Sequence, residues 1–199
     1  ITRLKIGVPD GPLVVDDVSF SVGAGEVVAV VGESGSGKTM VARSVLGLLP
    51  PGLVRVSGGI ALSGESIEDA PWSRLRQLRG GEIGMVFQEP MVSLNPALRI
   101  GAQMEEGLKI HRPGMGRAER RALCADMLRR VGIEDAERCL QAFPHEFSGG
   151  MRQRMMLASV MMLKPRLLVA DEPTTALDSL TQREVLDLMV ELTRETGTA

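Results

Sequence analysis

The strongest constraint in the sequence is a glycine-rich segment set between an apolar run and a helical pattern. Residues 26–31 (EVVAVV) form a short apolar run closed by Gly32. Such a run reads as a strand buried on both faces of a parallel sheet. Gly32-Glu33-Ser34-Gly35-Ser36-Gly37-Lys38-Thr39 follows and fits G-x-x-x-x-G-K-[ST] at every fixed position. From about Lys38 a helical pattern begins, with Val41, Val45 and Leu48 on one face. Pro50-Pro51-Gly52 ends it.

The residue types in this loop suit phosphate. Glycines let the backbone wrap closely round phosphate oxygens and turn several N–H groups inward. The helix starting near Gly37 adds its positive N-terminal end. Lys38 supplies a mobile point charge for β- and γ-phosphates, and the Thr39 hydroxyl is placed for Mg²⁺. The competing reading is an ordinary Gly/Ser turn. The strand before the loop and the helix after it weigh against that.

The rest of the chain extends this alternation. Residues 13–22, 58–63, 82–88 and 166–172 read as strands. From about Ile100 to Ala142 the sequence is Arg/Glu-rich with helical spacing, and Ala118, Ala122, Ala125 and Leu128 share one predicted face. Arg112-Pro113-Gly114 divides that region into separate helices. Another helix is expected near Gly150, and Thr181 to Glu195 is amphipathic, with Val185, Leu188, Met189 and Leu192 apolar. The pattern predicts an α/β domain carrying an all-helical insertion. Gly197-Thr198-Ala199 reads as the loop after a helix, so the chain is expected to stop inside the domain.

Composition narrows the function. With 23 basic and 25 acidic residues the net charge is −2, which speaks against a domain that lives by binding nucleic acid. Aromatics are 3% and Tyr is absent, so stacking platforms for single strands are poorly supplied. Cys124 and Cys139 lack metal-site spacing and fit a reducing compartment. No apolar run approaches the ~18 residues that span a membrane, and the N-terminus lacks the core of a secretory signal.

A second chemical cluster stands at the end of the 166–172 run, where Leu167-Leu168-Val169-Ala170 leads into Asp171-Glu172. A carboxylate at the C-terminal end of a buried parallel strand faces the crevice used by a phosphate loop. Asp171 is suited to support Mg²⁺. Glu172 is suited to orient or deprotonate a water that attacks a γ-phosphate. Capping of the turn at Pro173-Thr174 is the competing reading.

Three further segments carry a family resemblance. Phe147-Ser148-Gly149-Gly150-Met151-Arg152-Gln153-Arg154 resembles the signature motif of ATP-binding-cassette (ABC) ATPases. Thr175-Ala176-Leu177-Asp178 resembles that family's D-loop, and Val86-Phe87-Gln88-Glu89-Pro90 its Q-loop. Gln88 to Pro96 and Phe143 to Arg154 resemble, more closely, the ATPase subunits of dipeptide, oligopeptide and nickel importers.

The resemblance implies a P-loop NTPase (RecA-like) α/β core with a mainly parallel sheet, an antiparallel β subdomain and a helical subdomain. The core would comprise residues 1–88 and 151–199, and the helical subdomain about 89–150. It implies ATP and Mg²⁺ as cofactors, with Gly32 through Thr39 and Met40 on the nucleotide. It implies Lys38, Gln88 and Glu172 as catalytic residues, and Thr39, Gln88 and Asp171 around the metal. Ser148, Gly149, Gly150 and Asp178 would reach the ATP of a second, head-to-tail ATPase subunit. Met91 to Ala97 would face transmembrane permease subunits at the inner face of the cell membrane. The function implied is ATP-driven solute import. A soluble ABC ATPase acting on nucleic acid or ribosomes is the alternative.

Some positions depart from the family pattern. The aromatic residue that usually stacks on adenine has no clear counterpart, because Phe20 suits the core better; an aliphatic residue near Leu13 or Val14 would take its place. The family's switch histidine should follow the next strand, and neither His111 nor His145 lies after Asp178. A chain of this extent is therefore expected to bind ATP and hydrolyse it poorly. His111, His145, the two cysteines and the Met-rich stretch 151–162 read as structural residues. Arg117, Arg120, Arg121, Arg129 and Arg130 read as a solvated helical face, with a partner or lipid headgroups as the other reading. Trp72 has no assigned role.

Overall fold

A computed structural model of the chain describes residues 1–87, 94–175 and 177–199. Contacts divide it into two compact units, Ile1–Arg79 and Gly80–Ala199.

The first unit is built on an antiparallel sheet of order β2-β1-β3, with β1 at Thr2–Gly7, β2 at Leu13–Val18 and β3 at Val54–Gly59. Alternation along β1 sets the faces: Leu4 and Ile6 are fully buried, while Arg3 and Lys5 pair across the strand with Asp17 and Asp16. Ile6 sits opposite Val15 on one side and Arg55 on the other. Helix α1, Lys38–Val45, follows the glycine loop. A small hairpin, β4 (Ala61–Leu62) and β5 (Glu65–Ser66), precedes helix α2, Trp72–Gln77. A π-helical stretch, Leu78–Glu82, continues from α2. Arg79 reaches back to the carbonyls of Leu46 and Gly47 at 2.8 and 3.0 Å, closing the C-terminal end of α1. Its guanidinium lies 5.0 Å from the Trp72 ring centroid.

Two expectations for this unit are corrected. The run 26–31 joins no sheet among the described residues. Val27, Val28, Val30 and Val31 are exposed, Val31 by 88%. A two-sided buried strand needs ladder partners on both edges, and the sheet of this unit ends at β2 and β3. Hydrogen bonds beside the run close local turns instead, such as Glu26 N to Gly23 O at 3.1 Å. The α1 pattern also stops early. Gly47 takes φ +62°, and Leu48 N donates to Arg43 O at 2.9 Å in a Schellman-type stop. Leu46 is buried and Leu48 exposed.

The second unit pairs β6 (Ile83–Val86) with β7 (Leu167–Ala170) in parallel, Val86 opposite Ala170. Ala199 extends this sheet, exchanging hydrogen bonds with Arg166 and Leu168 at 3.0 and 2.8 Å. Helices α3 (Ile100–His111), α4 (Arg117–Arg130), α5 (Ala136–Gln141) and α6 (Gly149–Met161) enclose the main core. Met104, Leu108, Leu128, Met155 and Met161 are among its large buried members. The Met-rich stretch of α6 is therefore core. Helix α7, Ser179–Thr196, packs on this unit through Val185 and Leu192. Arg130 pairs with Glu195 and Arg154 with Glu184, joining α4 and α6 to α7.

The predicted face of α4 is half corrected. Ala125 and Leu128 are buried, but Ala118 and Ala122 are exposed. Cys124, Met127 and Leu128 define the inner face. Alanine carries too little apolar area to orient a helix, so the larger side chains decide. Among the described residues no helix is long and apolar enough to cross a membrane.

Candidate functional site

The glycine loop leads into α1 as its sequence predicts, although the run before it joins no sheet among the described residues. Gly35 and Gly37 take φ +82° and +91°, conformations costly for other residues. Ser36 N donates to Glu33 O at 3.2 Å, making a tight turn at the loop's crest. A Cβ at Gly37 would lie 2.9 Å from both Val14 O and Val15 Cγ2, so glycine lets the start of α1 rest against β2. Gly37 is the N-cap of α1 and its carbonyl accepts from Val41 N at 3.0 Å. The first turn of a helix has no intrahelical acceptors for its amides and favours an anion. Lys38 Nζ curls over the loop and donates to the carbonyls of Gly32 and Glu33, each at 2.8 Å. Gly32, Glu33, Ser34, Gly35 and Ser36 are exposed; Gly37, Lys38, Thr39 and Met40 are half-buried. Leu13 and Val14, the aliphatic candidates for adenine, are also exposed, and Phe20 is half-buried at the sheet's edge rather than in the core.

In the second unit, the strand-end acids emerge where β7 leaves the sheet. Asp171 N donates to Val86 O at 3.0 Å, and the Asp171 residue is buried. Glu172 is exposed and takes φ +46°, a left-handed conformation that strains a non-glycine residue. Thr175 Oγ1 lies 3.2 Å from Glu172 Oε2 and 3.3 Å from Glu172 O, so its hydroxyl holds the acid from the next turn.

The signature segment sits at a helix start. Ser148 is the N-cap of α6, its Oγ accepting from Met151 N at 3.3 Å. Gly149 and Gly150 open the helix against the beginning of α7. Asp178 caps α7: Oδ1 accepts from Leu180 N and Thr181 N at 3.2 and 3.1 Å, and Oδ2 from the Thr181 hydroxyl at 2.7 Å. The Thr181 hydroxyl, then its amide, holds the Asp178 carboxyl below its ordinary range. Gln182 Nε2 donates to the carbonyls of Thr174 and Leu177, both at 3.0 Å, and ties the intervening loop to α7.

Thus Ser148, Gly149, Gly150 and Asp178 come together in one unit, with Asp171 and Glu172 on the same unit's sheet edge. Gln88 lies outside the described residues. The sequence places Thr175 in the D-loop resemblance and Thr181 at the start of a helix, and assigns no side-chain role to either or to Gln182. An Asp followed three residues later by Thr is a readable cap signal; the bonds from Gln182 are not locally legible.

Comparison with known proteins agrees with these features. Residues 15–175 match the ABC transporter family. The chain is 44% identical over 198 residues to the oligopeptide transport ATP-binding protein OppD of Salmonella typhimurium, covering 99% of this chain and 58% of that protein. It is 46% identical over 185 residues to the probable D,D-dipeptide transport ATP-binding protein DdpD of Escherichia coli, covering 92% and 56%. The chain thus spans little more than half the length of these relatives. A dimeric structure of the ATP-binding cassette MJ0796, in a post-hydrolysis state bound to ADP and Pi, superposes with a TM-score of 0.84 at 27% identity. That match covers 99% of this chain and 83% of the other.

Proposed function

Because the chain belongs to the ABC transporter family, we propose that it is the ATP-binding and ATP-hydrolysing part of a solute importer of the peptide or nickel class. It would work at the cytoplasmic face of a membrane through separate transmembrane permease subunits. The observation that carries this reading is the loop from Gly32 to Thr39, with two left-handed glycines leading into the N-terminus of α1. The transport names of OppD and DdpD support the importer class.

The residues fit Mg-ATP. Backbone amides of the glycine loop and the Lys38 ammonium would hold the β- and γ-phosphates. The resemblance implies that the Thr39 hydroxyl, Asp171 and Gln88 would hold Mg²⁺. The metal supplies positive charge that offsets charge developing on the phosphate oxygens. Lys38 must leave the Gly32 and Glu33 carbonyls to reach a phosphate, exchanging two neutral acceptors for an anionic one. Glu172 orients the attacking water and takes its proton, with Thr175 fixing the carboxylate. Leu13 or Val14 packs on adenine.

Assembly completes the reading. The resemblance implies an ATPase core of residues 1–88 and 151–199 and a helical subdomain of about 89–150. Ser148, Gly149 and Gly150 offer amides at the start of α6 to the γ-phosphate held by a second, head-to-tail subunit, and Asp178 meets that subunit's phosphate loop. The dimeric state of the cassette MJ0796 with ADP and Pi supports a dimer.

Titration calorimetry with Mg-ATP tests the proposal. The chain should bind ATP, and Lys38→Ala should abolish binding. Equal binding by both proteins would overturn the site. Glu172→Gln should retain ATP and elute as a dimer on size exclusion; a monomer with ATP bound would overturn the assembly.

A further inference from the structure

The helical layer holds a cleft of about 420 Å³ that the nucleotide reading does not use. Five cations line it: Arg99 and Lys109 around α3, and Arg117, Arg120 and Arg121 from the first turns of α4. Glu105 is the acid in its lining. Its Oε2 lies 3.6 Å from Lys109 Nζ and 3.7 Å from Arg120 Nε, close enough for attraction and too far for a hydrogen bond to either. Arg121 is paired with Glu137 at 2.7 Å. Arg99 donates to Gln141 O at 2.6 Å and lies over the Phe143 ring, which fixes its guanidinium at the cleft. Five cations therefore face two acids.

Arg120 carries the argument. Its side chain is 15% exposed and donates to the Met115 carbonyl. Its Nε is shielded from solvent and has no hydrogen-bond partner. Of the five guanidinium donors one makes a hydrogen bond, to Met115, and the terminal nitrogens, not the shielded Nε, are the donors that remain for an anion in the cleft. Arg117 is exposed at the cleft's mouth. Ala102 and Leu140 give the cleft an apolar wall. Converging guanidinium forks suit a tetrahedral oxyanion, and the apolar wall suits a carbon body beside it.

We propose that this cleft binds the phosphate group of a phosphate ester, using residues unrelated to the glycine loop. The ester's source is either a soluble metabolite or a lipid headgroup; both present the same group to Arg117 and Arg120.

The test uses a Lys38→Ala background, so that the glycine loop contributes no phosphate binding. Glycerol 3-phosphate is titrated calorimetrically. In parallel, the protein is floated with vesicles of phosphatidylglycerol and phosphatidylcholine, and with phosphatidylcholine alone. Saturable binding of glycerol 3-phosphate, weakened tenfold or more by Arg117→Glu and by Arg120→Gln, is the expected result for a soluble ester. Flotation with the phosphatidylglycerol vesicles, lost in Arg117→Glu, is the expected result for a lipid. Arg117 is on the surface, so its variant folds; thermal melts check Arg120→Gln. No saturable binding and no flotation would overturn the proposal. So would binding in either arm that Arg117→Glu leaves unchanged.

Discussion

Gly150 approaches Thr181 so closely that a Cβ on Gly150 would lie 2.6 Å from Thr181 Cγ2. The signature segment and the cap of α7 are therefore one packed unit, joined at a position where a single methyl matters. Gly150→Ala should lower stability by about 1–3 kcal/mol through overpacking. Thr181→Ser removes the opposing methyl but keeps the hydroxyl that donates to Asp178. The double variant should recover much of the loss, giving a coupling energy above about 0.5 kcal/mol in a melt-based double-mutant cycle. Strict additivity would show that the two residues do not press on each other.

The same cap gives a pH signature. Thr181 holds the Asp178 carboxyl below its ordinary value of 3.8. A depressed folded pKa means the stabilisation is complete above the unfolded value and fades as pH falls through the folded one. Melting temperature should therefore decline from about pH 4 downward. Asp178→Asn should melt lower at pH 7 and show a shallower acid decline. Parallel acid limbs in the two proteins would remove Asp178 from the cause.

How much of this could be read beforehand depended on how local the cause was. The loop from Gly32 to Thr39 is dictated by adjacent residues, and Gly37, one of its two left-handed glycines, stands at a fixed motif position. The amphipathic face of α7 was legible because Val185, Leu188, Met189 and Leu192 carry enough area to choose a side. The run 26–31 failed because a strand's burial is decided by neighbours distant in sequence, and an apolar run does not name them. Ala118 and Ala122 failed because small side chains vote weakly. The bonds from Gln182 to Thr174 and Leu177 depend on how α7 is docked, which no short-range pattern encodes.

The cysteines offer a check on the core. Burial pushes the Cys124 thiol up to about 12 and the Cys139 thiol up to about 11. Both are inside the helical layer, with Cys124 Sγ 3.9 Å from Met162 Sδ. The native protein should resist iodoacetamide at pH 8, because thiolate and access are both lacking. Guanidinium should make both react quickly. The raised folded pKa also means stability present below the unfolded value of 9.0 is lost as pH rises through 9 toward 12. Rapid native labelling of Cys124 would contradict the packing around Met162.

Glu172 should show stability and chemistry pulling in opposite directions. Its φ of +46° is a conformation that costs an L-residue roughly 1–2 kcal/mol, and glycine adopts it freely. Alanine at this position keeps the strain, whereas glycine releases it. Glu172→Gly should therefore be more stable than Glu172→Ala by about 1 kcal/mol, the reverse of their order in a helix. Neither variant carries the carboxylate that Thr175 holds, so neither should hydrolyse ATP even where it binds. Melts and single-turnover assays on both variants decide it. Alanine more stable than glycine would show that the backbone at Glu172 is unstrained. Turnover in either variant would move the proton-accepting role to another residue.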